Sequence, residues 1–334
     1  MEPVKLGNTS LEVGRLSLGG LFAGIGGTTV AQACDVVSRA LDLGVNYVDT
    51  AAAYGRSEEV LGQVPEILDT RLVLSTKLGS RTGRQLDPQD GDDLRTGFYR
   101  SLEQLGLEQI DLLYIHEPDR PGQHDWWTDV RRVEGPVLDV LDELKREGLV
   151  RYTGLGGTST TLLAHLCRSG KFDVVLTAFN YSLLWQEAAT DVIPAAVAMG
   201  MGVVIGSPLQ QGALAARYDA QIDSPDCVWL SKQRKAQLRA LYSMLDEIGM
   251  PISELALRFT LSHPDVHTVL TGAKSVQELE ANVDAAERGP LPTEILEQIA
   301  IIAAMVGFRP CDEPAGLGAY LADPKLYRGP GALT

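Results

Sequence analysis

Four polar residues each close or follow a run of apolar residues: Asp49 ends VNYVD, Tyr54 follows in TAAAYG, Lys77 ends RLVLSTK and His116 ends IDLLYIH. A free tyrosine titrates at about 10 and exchanges protons poorly at neutral pH, but a nearby lysine ammonium stabilises the phenolate and lowers the tyrosine pKa. An aspartate keeps that lysine charged, and a histidine can hydrogen-bond the same substrate oxygen. Together the four residue types predict proton transfer at a carbonyl or alcohol oxygen.

Each of the four residues also has a simpler structural explanation. Asp49 can cap the following turn, Tyr54 can pack as a loop aromatic, and His116 can be a hydrogen-bonded histidine at a rim. Lys77 is harder to explain in this way, because a lysine directly after VLST would be partly desolvated and needs a partner. Asp49 is the obvious partner, and the coincidence of all four favours an active site.

Short β-branched runs alternate with longer amphipathic segments along the chain, and no Pro/Gly/Ser-rich linker divides it. This alternation predicts βαβ units and a parallel sheet. Strands are predicted at 15–20, 45–49, 72–76, 110–115, 151–155, 174–179, 202–207 and 267–271. Helices are predicted at 30–43, 57–63, 91–105, 136–147, 159–169, 188–199, 253–262 and 275–286. Eight strand–helix pairs favour a closed (β/α)8 TIM barrel forming one domain over residues 1–334, with the working face at the carboxyl ends of the strands.

Four segments lie outside the eightfold repeat. The first thirteen residues contain two extended runs around LGNTS, and Gly7-Asn8 predicts a hairpin that closes the bottom of the barrel. Residues 229–248 and 292–306 predict extra helices towards the C-terminus. The Pro- and Gly-rich tail, residues 308–334, is long enough to cover the barrel mouth.

Composition excludes several classes of protein. A net charge of −15 without a basic cluster argues against nucleic-acid binding. No apolar run reaches the roughly 18 residues that span a bilayer, and the start lacks a signal peptide, so we expect a cytoplasmic protein without a membrane partner. The cysteines, Cys34, Cys167, Cys227 and Cys311, are far apart and the five histidines do not cluster, which predicts free thiols and no metal site. No feature predicts the oligomeric state.

No side chain carries a hydride, so the predicted chemistry needs a nicotinamide cofactor, yet no GxGxxG motif indicates a Rossmann pocket. The motifs resemble the aldo-keto reductase family over nearly the whole chain. YVDTAAAYGRSEEVLG matches its Asp-Thr-Ala…Tyr-Gly…Ser-Glu…Leu-Gly signature, STK its lysine strand and IDLLYIH its histidine strand. IGSPLQQGAL and TGAKSVQELEANV are similar to its cofactor loops. The resemblance implies an NAD(P)-dependent oxidoreductase with Asp49, Tyr54, Lys77 and His116 as its catalytic tetrad.

The resemblance also implies the cofactor site. It assigns to the cofactor Gly20, Leu21, Asn180, Ser207, Leu209, Gly212, Gly272, Lys274, Ser275, Glu278 and Asn282, with 207–212 at the pyrophosphate and 274–282 at the adenosine end. Glu278 stands where NADPH-specific members usually have an arginine for the 2′-phosphate. A carboxylate there repels a phosphate and can accept a hydrogen bond from a free 2′-hydroxyl, which favours NAD over NADP. Lys274 and Ser275 argue in the opposite direction.

The sequence departs from the family pattern at three places. Gly156-Gly157-Thr158 replaces the Ser-Asn pair that often contacts the carboxamide, which puts that contact in doubt. Leu176 stands where glutamine is common, and Gly206 where many members have an aromatic that stacks on the nicotinamide. Phe22 or Tyr181 are the aromatic residues that can substitute for it.

The substrate class is read from the loop 117–132, which follows His116 directly. Trp126 and Trp127 can stack on a sugar face, and Phe22 is a further predicted substrate contact. The polar residues of the loop that can meet hydroxyl groups are Asp119, Arg120, His124 and Asp125. The alternative is that both tryptophans pack the loop onto the barrel. A sugar or other polyhydroxy compound is the favoured substrate, and the alternatives are a broad-range aldehyde or ketone reductase and a non-catalytic nucleotide-sensing subunit.

Overall fold

Eight parallel strands close into a barrel in a computed structural model that describes residues 1–24, 28–69, 71–227, 229–307 and 317–326. Two strands form a separate hairpin, β1 (Pro3–Lys5) and β2 (Glu12–Gly14). The barrel strands are β3 (Leu16–Gly19), β4 (Tyr47–Asp49), β5 (Val73–Leu78), β6 (Ile110–His116), β7 (Val150–Gly157), β8 (Val174–Ala178), β9 (Gly202–Gly206) and β10 (Thr268–Thr271). Strands β3 to β9 follow one another around the barrel, and β10 closes it between β9 and β3. The predicted eight strands and the closed topology are confirmed.

Helices form the outer layer of the barrel. They are α1 (Leu21–Gly24), α2 (Val30–Asp42), α3 (Ser57–Leu61), α4 (Gly91–Leu105), α5 (Pro136–Arg146), α6 (Thr160–Cys167), α7 (Val192–Ala198), α8 (Asp219–Ile222), α9 (Lys232–Ile248), α10 (Ile252–Leu261), α11 (Val276–Glu287), α12 (Thr293–Ala304) and α13 (Leu317–Ala322). Local signals set their ends. Thr29 and Gln32 form a capping box at the start of α2, and Gly44, at φ 78°, follows its end.

Side chains of alternate strand residues fill the barrel interior, and a larger apolar core lies between the barrel and the helices. The hairpin of β1 and β2 closes the amino-terminal end, because Leu6 at its turn is fully buried in the interior cluster. Gly7 has φ 57°, and a Cβ there would lie 2.2 Å from the backbone nitrogen of Gly202. The predicted hairpin plug is therefore confirmed, and only a glycine fits its turn.

The extra helices predicted towards the C-terminus are confirmed as α9 and α12, which contact each other through the Gln237 Nε2 hydrogen bond to the Ile302 carbonyl (2.9 Å). Helix α13 packs on the loop after β9, where a Cβ on Gly318 would lie 2.2 Å from the Gln211 carbonyl oxygen. Residues 308–316 and 327–334 of the predicted tail, including Cys311, lie outside the described residues. That the tail covers the barrel mouth stays a prediction.

Three cysteines of the described part, Cys34, Cys167 and Cys227, are free thiols. Among the described residues, no group of three or more histidine, cysteine or acidic side chains is arranged to hold a metal ion. None of the helices in the described ranges combines the length and apolarity needed to cross a membrane.

Candidate active site

The four polar residues singled out in the sequence lie together at the carboxyl edge of the barrel. Lys77 Nζ is 2.5 Å from Asp49 Oδ2 and donates a second hydrogen bond to the Thr50 carbonyl (2.8 Å). The same ammonium lies 4.6 Å from the centre of the Tyr54 ring. The rings of Tyr54 and His116 meet edge to face, with their centres 5.8 Å apart. A substrate oxygen can therefore be reached from a phenol, an ammonium and an imidazole at one place.

Neighbouring strands produce this arrangement. Strands β4, β5 and β6 are adjacent and parallel, with Asp49 paired to Ser75 and Lys77 to Tyr114. Tyr54 lies in the turn after β4, and that turn is packed tightly against the end of α1. A Cβ on Gly24 would lie 1.7 Å from the Tyr54 carbonyl oxygen, so glycine is needed for this close approach.

A chain of hydroxyl groups continues from Asp49 into the barrel. Ser75 Oγ donates to Asp49 Oδ1 (2.6 Å), Tyr47 OH lies 2.9 Å from Ser75 Oγ, and Tyr114 OH lies 3.0 Å from Tyr47 OH. Asp49 and Lys77 are only 2 % and 1 % exposed. Burying two opposite charges carries a desolvation penalty that only good geometry and further hydrogen bonds offset, and this pair has both.

Burial sets the protonation states of the tetrad. It raises the pKa of Tyr54, and the opposing effect of the Lys77 charge does not cancel it, so the expectation of a lowered tyrosine pKa is wrong for this structure. Burial also lowers the pKa of Lys77, but Asp49 and Tyr54 outweigh it and the net direction is up. For His116, burial and then the Lys77 charge lower the pKa to about 3. At neutral pH the site thus holds a neutral phenol, an ammonium and a neutral imidazole.

Glu58 supports the tetrad, and we did not predict it from the sequence. It is buried on α3, one turn after Tyr54, and its Oε1 accepts from Thr76 Oγ1 (2.6 Å). Its Oε2 lies 2.5 Å from Arg81 Nη1. Thr76 precedes Lys77 directly, so the Glu58 carboxylate links the loop of the tyrosine to the strand of the lysine. The only signal in the sequence was the SEEVLG part of the family motif, which assigns no partner.

The loop 117–132 holds its tryptophans against the protein and not in the open position that stacking on a sugar requires. Trp126 is 2 % exposed and its Nε1 donates to the His116 carbonyl (3.0 Å). Trp127 Nε1 donates to the Pro118 carbonyl (2.7 Å), and its ring packs edge to face on Phe172. Phe22 is also buried in the outer core. These three rings pack the loops onto the barrel, as the structural alternative expected; Trp126 and Phe22 are buried, and Trp127 is half-buried.

Asp119 likewise turns away from solvent and towards the backbone after β7. Its Oδ2 accepts from the backbone nitrogens of Thr158 (2.7 Å) and Ser159 at the start of α6. A Cβ on Gly157 would lie 2.6 Å from Asp119 Oδ2. The departure from the family pattern at this position therefore has a steric reason, because the Asp119 carboxylate occupies the space of a side chain at Gly157.

We expect Gly157→Ala to destabilise the fold by about 1–3 kcal/mol, because its methyl group displaces a buried carboxylate from two backbone donors. Gly156→Ala is the matched control, since a Cβ there meets its neighbours only at an ordinary 3.6 Å. The measurement is the free energy of unfolding in denaturant for both variants. Equal stability of the two variants would contradict this account.

The loop after β9 carries the residues predicted at the pyrophosphate. Ser207, Gln210 and Gln211 have φ of 54°, 49° and 50°, a left-handed conformation that is strained for residues with a side chain and is common at functional loops. Leu209 is half-buried, and a Cβ on Gly212 would meet no atom within 4 Å. The loop thus presents a strained backbone and open space at the same edge as the tetrad.

The other predicted cofactor residues lie at the ends of β3, β8 and β10. Gly20 N donates to the Asp49 carbonyl (2.6 Å), which fixes it next to the tetrad, and Leu21 beside it is exposed. Asn180 is buried, and its Nδ2 donates to Thr177 Oγ1 (3.0 Å). Gly272 after β10 is exposed.

Helix α11 begins at Val276, shortly after Gly272, and the exposed Lys274 precedes its N-cap, Ser275. The Ser275 side chain accepts a hydrogen bond from the backbone nitrogen of Glu278 (3.2 Å), and the Glu278 carboxylate accepts one from the backbone nitrogen of Lys274 (2.8 Å). Asn282 is half-buried one turn further on. The amino end of a twelve-residue helix with an exposed lysine suits the phosphate and adenosine groups of a dinucleotide, so the residues present fit this cofactor.

Comparisons with known proteins agree with this architecture. The model of the aldo/keto reductase family matches residues 15–304. A pyridoxal 4-dehydrogenase of Microbacterium luteolum is 29 % identical, with 82 % of this chain and 88 % of the relative covered. A D-threo-aldose 1-dehydrogenase of a Pseudomonas species is 29 % identical over 96 % of this chain and 95 % of the relative.

Among solved structures, an aldo-keto reductase from Bacillus halodurans in its holo form is similar to this chain with a TM-score of 0.75 and 26 % identity. The match covers 92 % of this chain and 98 % of that structure. The family match extends from β3 to the last residue of α12 and so spans the whole barrel, the tetrad and the start of α11. The chain belongs to the aldo/keto reductase family, and it is an oxidoreductase with a TIM-barrel fold.

Proposed function

We propose that this protein interconverts a carbonyl and an alcohol with NAD(P), and that Tyr54 is its general acid and base. The observation that carries the proposal is the position of Lys77 Nζ, which is bound to Asp49 and lies over the Tyr54 ring beside His116. A nicotinamide cofactor supplies the hydride for reduction or accepts it during oxidation.

The side chains of the tetrad have separate tasks in this reaction. Tyr54 is protonated at neutral pH, since its pKa is raised, and so donates a proton to the carbonyl oxygen during reduction. The Lys77 ammonium stabilises the phenolate that remains, and Asp49 holds that ammonium in place. His116 is neutral because of its low pKa, and it orients the same substrate oxygen by a hydrogen bond. In oxidation Tyr54 must first lose its proton, so this direction gains rate as the pH rises.

A sugar or other polyhydroxy compound is the proposed substrate class. The similarity to a D-threo-aldose 1-dehydrogenase over nearly the full length of both chains supports it. The similarity to a pyridoxal 4-dehydrogenase supports a second candidate, a wider range of aldehydes and alcohols. The buried Lys77–Asp49 pair favours both of these enzymes over a nucleotide sensor, since proton transfer uses that cation and nucleotide binding alone does not.

The function is tested by following NADH and NADPH absorbance against a panel of aldoses, keto sugars, pyridoxal, and simple aldehydes and ketones. Turnover that is fastest with the hydroxylated compounds is the expected result. Similar rates across the whole panel would support the broad-range alternative. Tight binding of the cofactor without turnover of any compound would contradict an enzyme and support the sensor.

We expect a preference for NAD over NADP, because the Glu278 carboxylate lies at the amino end of α11, where it repels a 2′-phosphate. Glu278→Gln keeps an acceptor for the Lys274 nitrogen but removes the charge, and we expect its affinity for NADPH to rise by about tenfold, or ~1.4 kcal/mol. Asp284→Asn, on an exposed residue of the same helix, is the matched control. The dissociation constants of both cofactors are measured by fluorescence titration. A strong NADPH preference of the wild type would refute the prediction.

A further inference from the structure

Three polar side chains form a cluster in the loop that follows the catalytic histidine. Glu117 Oε2 is 3.2 Å from His124 Nε2, and Glu117 Oε1 is 3.6 Å from Arg120 Nε. The side chains of Glu117, His124 and Arg120 are 24 %, 31 % and 38 % exposed, so each is partly buried and still reached by solvent. We call these residues the loop triad.

The loop triad is anchored beside the catalytic residues. The backbone nitrogen of Glu117 donates to the Gly156 carbonyl (2.7 Å), and Arg120 Nε donates to Thr158 Oγ1 (2.8 Å), so the triad is held at the ends of β6 and β7. Glu117 follows His116 directly in the chain, so the triad begins at the residue next to the imidazole that meets the reacting oxygen and can contact the rest of a substrate.

Backbone strain supports a functional position for Glu117. Its φ is 51°, which costs free energy for any residue that carries a side chain. Phe179 and Ser207 also have positive φ, and each of the three follows the last residue of a barrel strand. Strained residues at the carboxyl edge thus surround the barrel mouth, and Glu117 is the one of these three with a charged side chain.

We propose that the loop triad binds the hydroxyl groups of a polyhydroxy substrate, an inference that rests on the proposed function. Glu117 Oε1 lies too far from Arg120 Nε for a hydrogen bond, so it keeps its capacity as an acceptor. The Arg120 guanidinium has five N–H donors, and its Nε is the one that holds Thr158.

Hydroxyl groups match this pair because each both donates and accepts a hydrogen bond. The Glu117 carboxylate offsets the charge of the Arg120 guanidinium, so the pair lacks the net positive charge that attracts phosphorylated or acidic compounds and suits neutral sugars better. The position of the triad next to His116 places the recognised hydroxyls near the reacting carbon.

The test compares glyceraldehyde with propanal, which share three carbons and an aldehyde but differ by two hydroxyl groups. Wild-type enzyme is expected to prefer glyceraldehyde in kcat/KM. Glu117→Gln is expected to lower kcat/KM for glyceraldehyde by about tenfold or more, chiefly through KM, and to leave propanal within about twofold, since only hydroxyl contacts to a charged group are lost. Glu134→Gln, an exposed carboxylate further along the chain, is the control.

A second pair of variants guards against a folding defect. Arg120→Gln is expected to reduce the preference for glyceraldehyde as well, whereas Arg132→Gln, at 75 % exposure, leaves it unchanged. Equal losses on both aldehydes in both triad variants, or a wild type that does not prefer glyceraldehyde, would overturn the inference and leave the proposed carbonyl–alcohol interconversion standing. Absence of turnover by the wild type with every carbonyl and alcohol tested would overturn both.

Discussion

Tyr54→Phe is expected to lower kcat by about 10³-fold or more in both directions, because the variant loses the proton that general acid–base catalysis exchanges with the substrate oxygen. A phenylalanine fills the same space, so the free energy of unfolding should stay close to that of the wild type. Tyr99→Phe is the matched control, as this tyrosine is exposed on the outer helix α4 and is not part of the tetrad. Steady-state kinetics with the best substrate of the panel measure the effect.

The pH dependence provides a second test of the same assignment. Since burial raises the pKa of Tyr54, reduction should stay nearly constant from pH 6 to 8 and fall only as the phenol loses its proton at alkaline pH. The rate of oxidation should rise with pH as the Tyr54 phenol loses its proton. His116 has a pKa of about 3, so no titration of His116 should appear between pH 5 and 8. Turnover at the wild-type rate by the Tyr54→Phe variant would refute the assignment.

Lys77→Met is expected to cost about 3–5 kcal/mol of stability as well as activity, because it leaves the buried Asp49 carboxylate without its partner. Asp49 still accepts from Ser75, but one hydroxyl donor does not replace an ammonium. Chemical denaturation of the wild type and the variant measures the loss. Lys145→Met is the control: its ion pair with Asp173, at 3.1 Å, is partly exposed, with side-chain exposures of 37 % and 31 %, and should contribute less than about 1 kcal/mol.

The double variant Lys77→Met/Asp49→Asn separates stability from catalysis. Removing the second charge should restore much of the lost stability, while activity stays low because no cation remains to stabilise the Tyr54 phenolate. A double variant as unstable as Lys77→Met would show that packing, not the unpaired charge, causes the loss. A double variant with near wild-type activity would contradict the role of Lys77 in catalysis.

The alternation of strand and helix signals was sufficient to predict the barrel, because each signal is local. Short β-branched runs and helix-ending glycines such as Gly44 act within a few residues. Asp49, Lys77 and His116 could be grouped for the same reason. Each lies at the end of a predicted strand, and the ends of parallel strands meet at one edge of the barrel.

The contacts that the loops make could not be predicted from local sequence signals. Trp126 was as compatible with sugar stacking as with packing until the hydrogen bond from its Nε1 to the His116 carbonyl distinguished the two. Glycine at position 157 was an unexplained departure until the Asp119 carboxylate was found against it. Neither contact has a signal within a few residues, because Trp126 lies ten positions after His116 in the loop that follows β6, and Asp119 reaches Gly157 only when β6 and β7 pair.

The sequence by itself determined the class of fold, the family and the residues of the tetrad, since these depend on residue type and on the order of strands. The tertiary structure decided their electrostatics. Burial raises the pKa of Tyr54 against the effect of Lys77, because desolvation depends on every group packed around the phenol. The tertiary structure also places Glu117 in a strained conformation beside the site. The spacing of residues in the sequence does not indicate this, because φ at a strand end is set by the contacts of the whole rim.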